Sequence, residues 1–478
     1  MIQVSKNLTV PAQKQSNNNG FVEKTSQLDE RLDPLFPQTQ ENGIQETGPV
    51  LDAHLDPIKK QETTSDEEIY ISTCSDEKYE QKFDVKISGF VKYDAFFDSR
   101  QVIAYNRGLL MVVPKIPKLD PAGADINDHT QWNMLGLQSR VLIDVTGPKL
   151  GYAKTSARIG FDFADPLDEG LFRIRFAYMQ FVWDHIKNKN KKLILGHYYH
   201  PISLDEAYPD TLGYSQGELF DPFTYAGQAT IYYTFNDITL IGSLNSDWKY
   251  TPARNAAFPD MFFATHIKFC DAHYAGIGID FHREVPRIQT DPTIATSGQS
   301  FATSNALNSW SGYVFAACNF EHFKGKVRFS YIENGIRYCM LGGVGTKASN
   351  YNPVTDQRHY TNLRALAWWT ELIYRYKKAE CGIFIGYTKN IGSRDVLVTN
   401  PDGTADLRFI EALYEGAAQT DNVIKIQPRL RYYLDPIEFG VELEFCRAKY
   451  GTVNKFGRVD NAAPVSDARI LFAIFYKF

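Results

Sequence analysis

From Phe83 onward the chain alternates between apolar and polar positions with a period of two, in runs broken by turn-forming residues. In 437–449 one parity reads Ile437, Phe439, Val441, Leu443, Phe445 and the other Glu438, Gly440, Glu442, Glu444, Cys446. In 422–434, Ile424, Ile426, Leu430 and Tyr432 oppose Lys425, Gln427, Arg429 and Arg431, and in 152–163, Ala157, Ile159, Phe161 and Phe163 oppose Lys154, Ser156, Arg158 and Asp162. This is the pattern of strands with one face in an apolar medium. Sixteen such segments are predicted: 83–98, 134–146, 152–163, 171–184, 191–199, 226–235, 238–247, 261–270, 273–282, 309–320, 325–333, 363–376, 380–389, 422–434, 437–449 and 467–478. Pro428 falls inside one of them and cannot donate to a ladder, so a bulge is expected there.

The spacers sort by length. Those after odd-numbered segments have 35, 7, 26, 13, 26, 29, 32 and 17 residues, and those after even-numbered ones 5, 6, 2, 2, 4, 3 and 2. An up-and-down meander with one decorated rim produces this alternation, and transmembrane barrels carry short periplasmic turns and long external loops on an even strand count. A soluble sandwich has no reason to sort its loops so. The fold class expected is therefore all-β, a 16-stranded antiparallel transmembrane barrel over 83–478. A one-residue slip in 152–163 would place Lys154 and Arg158 in hydrocarbon at roughly 2–4 kcal/mol each near the midplane. The parity is thus apolar out, charged in, and the polar inner face implies no second apolar layer. The last strand, ARILFAIFYKF, ends on Phe478. A terminus frays unless tied down, so this strand is expected to close the barrel against 83–98, with Phe478 in an aromatic girdle.

Composition changes the picture in three places. Residues 1–82 are rich in Gln, Asn, Glu, Asp, Thr and Ser and poor in aromatics, which predicts a disordered extension. No run of eighteen apolar residues exists, which excludes spanning helices but not a barrel. The net charge of −5 and the lack of a basic block argue against a nucleic-acid partner. The six cysteines (Cys74, Cys270, Cys318, Cys339, Cys381, Cys446) are scattered without a CxxC pair, so no metal or redox framework is expected. The opening MIQVSKNLTVPAQKQ lacks a charged region followed by an apolar one, and no export signal is visible.

Four stretches carry a resemblance. ISGFVKYDAFFDSRQ (Ile87–Gln101), RVLIDVTGPKLGYAKTSARIGFDF (Arg140–Phe163), FRIRFAYMQFVW (Phe172–Trp183) and LILGHYYHP (Leu193–Pro201) resemble, in their order along the chain, the DcaP-like and related porin barrels of Gram-negative outer membranes. The similarity covers roughly Ile87 to Trp248 and resumes in IQPRLRYYL (Ile426–Leu434). It implies a homotrimeric diffusion channel in the outer membrane of a Gram-negative bacterium, with an inward-folded loop, a preference for small anionic solutes, and no cofactor. The chain departs from that pattern in showing no heptad stalk before the barrel.

Inward parity gives the candidate pore residues. A basic wall is expected from Lys92, Arg100, Arg140, Lys154, Arg158, Arg173, Arg175, Lys425, Arg429 and Arg431, one sector once the barrel closes. The stretch His200–Tyr225 carries Asp205, Glu206, Asp210, Glu218 and Asp221 with no Lys or Arg, and is the candidate constriction loop. An acidic loop facing a basic wall would set a transverse field that favours anions. Glu438, Glu442 and Glu444 are expected as cross-strand partners of the Arg429 row. Two other classes compete. GYSQG (Gly213–Gly217) matches a nucleophile pattern with Ser215, for which His197, His200 or His266 could act as base in an outer-membrane esterase, but no strand-to-helix elbow surrounds it. HYYH (His197–His200) does not suit a metal, because residues three apart on a strand face opposite ways. A structural or adhesive barrel with a plugged lumen is the third reading.

Overall fold

Alternation with a period of two becomes a continuous antiparallel ribbon in the computed structural model, which describes residues 83–163, 173–186, 189–203, 206–214, 216–246, 251–270 and 272–478. The predicted extension 1–82 lies outside the described residues, as do Asp205 and Ser215. The barrel strands are β1 (Asp84–Asp98), β2 (in two pieces, Gln131–Leu135 and Arg140–Thr146), β3 (Lys154–Asp162), β4 (Arg173–Ile186), β5 (Lys189–Tyr199) and β6 (Tyr225–Phe235). They continue with β7 (Ile238–Ser246), β8 (Asp260–Phe269), β9 (His273–Glu284), β10 (Leu307–Asn319) and β11 (Phe323–Glu333). The last are β12 (Tyr360–Tyr376), β13 (Ala379–Gly392), β14 (Thr420–Leu434), β15 (Ile437–Val453) and β16 (Val459–Lys477).

Each strand pairs with its sequence neighbours, and β1 pairs with both β2 and β16, from Phe90↔Lys477 to Asp98↔Arg469. The sheet is a closed 16-stranded barrel. Gly89 and Phe478 exchange backbone hydrogen bonds of 2.9 and 3.1 Å, so the terminal phenylalanine is held to the first strand. Outward side chains such as Phe263, Ile277, Phe329, Leu430 and Ile470 stay about half exposed, whereas the alternate parity on the same strands is buried. Aromatic pairs sit at both rims: Phe181–Trp183, Tyr233–Phe235 and Phe320–Phe323 at the short-turn end, and the cluster of Phe258, Phe281 and Trp310 at the other.

Four details depart from the sequence reading. The second strand breaks at Gly136–Ser139, where β2 has one residue more than β1; the turn is pinned by Ser139 Oγ donating to Gly136 O at 2.7 Å. At Pro428 no bulge forms: register with β15 is the same at Ile426↔Phe445 and Arg429↔Glu442, and the residue simply omits a donor. The gap expected at 450–466 is mostly strand, since β15 and β16 extend to a five-residue turn at 454–458. Above the band that ends at Phe445 and Ile470, their outward faces turn polar (Arg447, Lys449, Ser466), so this hairpin projects into water. Finally, an interior apolar layer does exist, built from loops. Val112 and Val113, Leu219 and Phe220, and Met340 and Leu341 pack inside the barrel against the inward-facing Tyr313, Phe315, Trp369 and Phe384.

Candidate pore and the loop folded into it

Of the loop segments that enter the lumen from the long-loop rim, two meet the basic wall. One is a hairpin of Val102–Tyr105 and Leu110–Pro114 between β1 and β2; Leu110 to Val113 are fully buried. The other lies between β5 and β6 and is described over 200–203, 206–214 and 216–224. A buried loop needs partners for its backbone groups, and here the charged wall supplies them. Glu371 of β12 accepts the Asp210 N–H with both carboxylate oxygens at 3.0 Å. Glu442 of β15 accepts the Leu212 and Gly213 N–H groups at 2.7 and 2.9 Å. Cations take the carbonyls: Arg328 donates to Ile202 O at 2.6 Å, Lys326 to Tyr208 O at 2.7 Å, and Lys92 to Leu212 O at 2.9 Å. Arg431 donates to Asp210 O and Thr211 O at 3.0 and 3.1 Å. The hairpin is held alike, by Lys425 on Met111 O at 2.6 Å and Tyr450 on Pro114 O at 2.6 Å. Two wall glycines form sockets. A Cβ on Gly386 would lie 2.5 Å from the Phe220 ring and one on Gly440 2.5 Å from Leu212.

The predicted basic wall faces inward, but beneath this loop. Lys92, Arg140, Arg173, Arg175, Lys425, Arg429 and Arg431 are all buried, and the structure brings carboxylates to them. Lys92 pairs with Asp94 at 2.8 Å, Lys425 with Glu444 at 2.8 Å, Arg429 with Glu371 at 2.9 Å, and Arg431 with Glu438 at 3.3 Å. Of the three β15 glutamates expected as cross-strand partners, Glu438 and Glu444 take that role, while Glu442 grips the loop. Arg173 forks onto Asp162 at 2.8 and 2.7 Å and also donates to the Tyr214 hydroxyl. Arg175 reaches the same carboxylate at 2.7 Å and Tyr199 at 3.0 Å, and Arg140 stands opposite Asp162 on the neighbouring strand. Three guanidiniums therefore gather on one aspartate. Near the short-turn end, Lys154 (to Asp184, 2.5 Å) is water-exposed and Arg158 (to Asp144, 2.6 Å) partly so, and Arg100 pairs with Asp125 beside the hairpin.

The acidic loop residues are also placed against the wall rather than across open water from it. Asp210 lies 3.4 Å from Arg431 and Asp221 3.2 Å from Arg328; Asp221 further accepts from Trp369 Nε1 at 2.9 Å. Glu206 meets His266 at 3.0 Å. Burial pushes its carboxyl up, but the His266 hydrogen bond and charge, with Lys192, outweigh this and hold it below the usual range. Glu218 is buried at the junction of loop and wall, and burial pushes its carboxyl up to about 8, with Lys425 pulling down and Glu444 pushing up.

Sequence reasoning missed Lys326, Arg328 and Glu371, although inward parity on 325–333 and 363–376 would have pointed to them. It also missed a second cluster, whose wall members Asp280, His282 and Glu284 share the inward parity of β9 but whose loop partners Arg337 and Tyr338 leave no periodic signal. From the loop after β11, Arg337 pairs with Asp260 at 2.5 Å and Tyr338 hydrogen-bonds Asp280; on the wall His282 bridges Asp260 at 2.6 Å and Glu284 at 3.1 Å. His200 lies 3.4 Å from Asp280 in the same cluster.

No family model matches the chain, and no curated protein does. Solved structures do. The outer membrane channel DcaP of Acinetobacter baumannii matches at a TM-score of 0.57 and 17% identity, over 83% of this chain and 97% of the channel. The anion-selective porin of Comamonas acidovorans matches at 0.49 and 10% identity, over 83% and 100%. OmpT, an outer membrane protein of Vibrio cholerae, does so at 0.49 and 10%, over 83% and 98%. Only the first of these is close enough to carry an argument, and what it establishes is a shared fold.

Proposed function

We propose that this protein is an outer-membrane porin of a Gram-negative bacterium, through which small hydrophilic solutes diffuse without a cofactor or chemical step. One observation carries the reading: a closed barrel, apolar outside, draws a long loop into its own lumen and holds it there through side chains of β12, β14 and β15 on Asp210–Gly213. A loop seated in this way narrows a water path to a fixed cross-section. The three arginines around Asp162 support an anion preference. The preference is modest, because elsewhere along the basic sector the wall cations are matched by carboxylates. Resemblance to porin barrels supports a trimer, which light scattering of the detergent-solubilised chain would read directly.

The test is conductance in planar bilayers. The full chain should give steady ohmic steps, and in a KCl gradient a small reversal potential of the sign for chloride. Insertion without steps would overturn the proposal. A second reading, a structural or adhesive barrel, is favoured by the depth to which the Leu110–Val113 hairpin fills the lumen, and that outcome would select it.

A further inference from the structure

Outside the lumen, two concavities meet on the outer wall. The lower is an apolar groove of about 1250 Å3 running across β7 to β13, lined by outward residues such as Leu240, Phe263, Ile279, Val314 and Phe329. Gly312, between Trp310 and Val314 on the same face, leaves its floor open. The upper is a polar pocket of about 310 Å3 at the long-loop ends of β10, β11 and β12, lined by Lys347, Arg364, Arg394, Glu333 and Asp395. Trp310 lines both, so groove and pocket are continuous along the barrel's height.

The pocket is built around Glu333. Buried, it accepts from Trp310 N at 3.1 Å, Asn362 Nδ2 at 3.1 Å, the Tyr331 hydroxyl at 2.8 Å and Arg394 at 3.0 Å. Arg394 is thereby oriented while remaining 69% exposed. Arg364 is anchored by Nε to Gly392 O at 2.9 Å, and Lys347 is paired to Asp395 at 3.1 Å. Arg283 adjoins through Asn308 at 3.3 Å. Four cations against two carboxylates leave a positive excess at the rim where the aromatic girdle marks the membrane boundary, directly above a face that meets acyl chains.

We propose that this paired groove and pocket is a binding site for an acylated lipid with a phosphate-bearing headgroup, taken from the leaflet on the long-loop side. The chains lie in the groove between Leu240 and Leu366, and the phosphate meets Arg364 and Arg394, whose planar forks suit its oxygens. Charge complementarity decides the occupant: plain hydrocarbon would explain the groove but leave the cationic pocket above it without a role. The inference rests on the membrane placement of the preceding subsection but not on conduction.

Native mass spectrometry of the detergent-solubilised full chain tests it, using phosphatidic acid, diacylglycerol with the same chains, and inorganic phosphate. Phosphatidic acid should bind about tenfold more than diacylglycerol. R364Q with R394Q should remove that preference, Asp395→Asn should raise it, and Val314→Trp should weaken both lipids, with bilayer conductance unchanged throughout. Retention of heat-resistant migration on unboiled gels controls for folding. An unchanged preference in the double variant would overturn the site, as would displacement of phosphatidic acid by equimolar inorganic phosphate. So would a Val314→Trp variant that changes the oligomeric state while lipid binding stays the same, since the groove would then belong to a second copy. Loss of conductance in the parent would count against the porin reading alone.

Discussion

Glu442 offers the sharpest test of how the loop is held. Its two oxygens accept the Leu212 and Gly213 N–H groups at 2.7 and 2.9 Å. A hydrogen bond to a charged group is worth about 1.5–3 kcal/mol, and a buried donor left without a partner costs a similar amount. Glu442→Ala removes both bonds; part of the loss returns because Arg431, Lys92 and Glu371 still grip Asp210 to Leu212. A net cost of about 3 kcal/mol is expected, which moves the ratio of seated to released loop by roughly two orders of magnitude. Single-channel recording would read this as frequent transitions to a larger conductance. Glu442→Gln, which keeps one acceptor, should fall between. If the Glu442→Ala channel inserts, migrates as a folded barrel and records as the parent does, in conductance and in noise, then the wall does not hold the loop as described.

Three further outcomes follow from the same geometry. The seated loop keeps the Glu218 carboxyl at about 8 against 4.5 in water, so it binds an additional proton between those values. Seating is then fully favoured below pH 4.5 and weakens as pH rises through 8; open-channel noise should grow from pH 6 to 9, and Glu218→Gln should abolish that dependence. Val441→Arg, outward at the middle of the apolar band on β15, should cost about 2–4 kcal/mol in urea titrations of barrels folded into lipid, while Arg447→Ala, above that band, should cost almost nothing; equal effects would refute the placement of the band. Arg158→Glu, at a partly exposed wall position, should shift the reversal potential toward cations. Arg173→Gln, which strips a buried fork from Asp162, should instead lower the yield of heat-resistant barrel, by about 3–5 kcal/mol of stability.

The number of strands, their parity and the closure of β16 on β1 were legible in the primary structure. The reason is local: a charge turned toward hydrocarbon costs several kcal/mol wherever it occurs, so each strand from Val91 to Phe472 must carry its own period-two pattern regardless of its neighbours. The inward candidates Lys92, Arg158, Arg175 and Arg431 followed from the same parity. Their surroundings did not. Whether an inward cation meets water, a carboxylate or a loop carbonyl is decided by residues far away in the chain, as Arg431 on Thr211 O and Lys425 on Met111 O illustrate. Residues 102–114 carry an apolar run, Leu109–Val113, that signals burial, but nothing in it says that the barrel's own lumen provides the cover. Only the tertiary structure decided that much of the wall's charge serves to satisfy buried loop backbone, because that satisfaction depends on three-dimensional proximity and leaves no periodic trace.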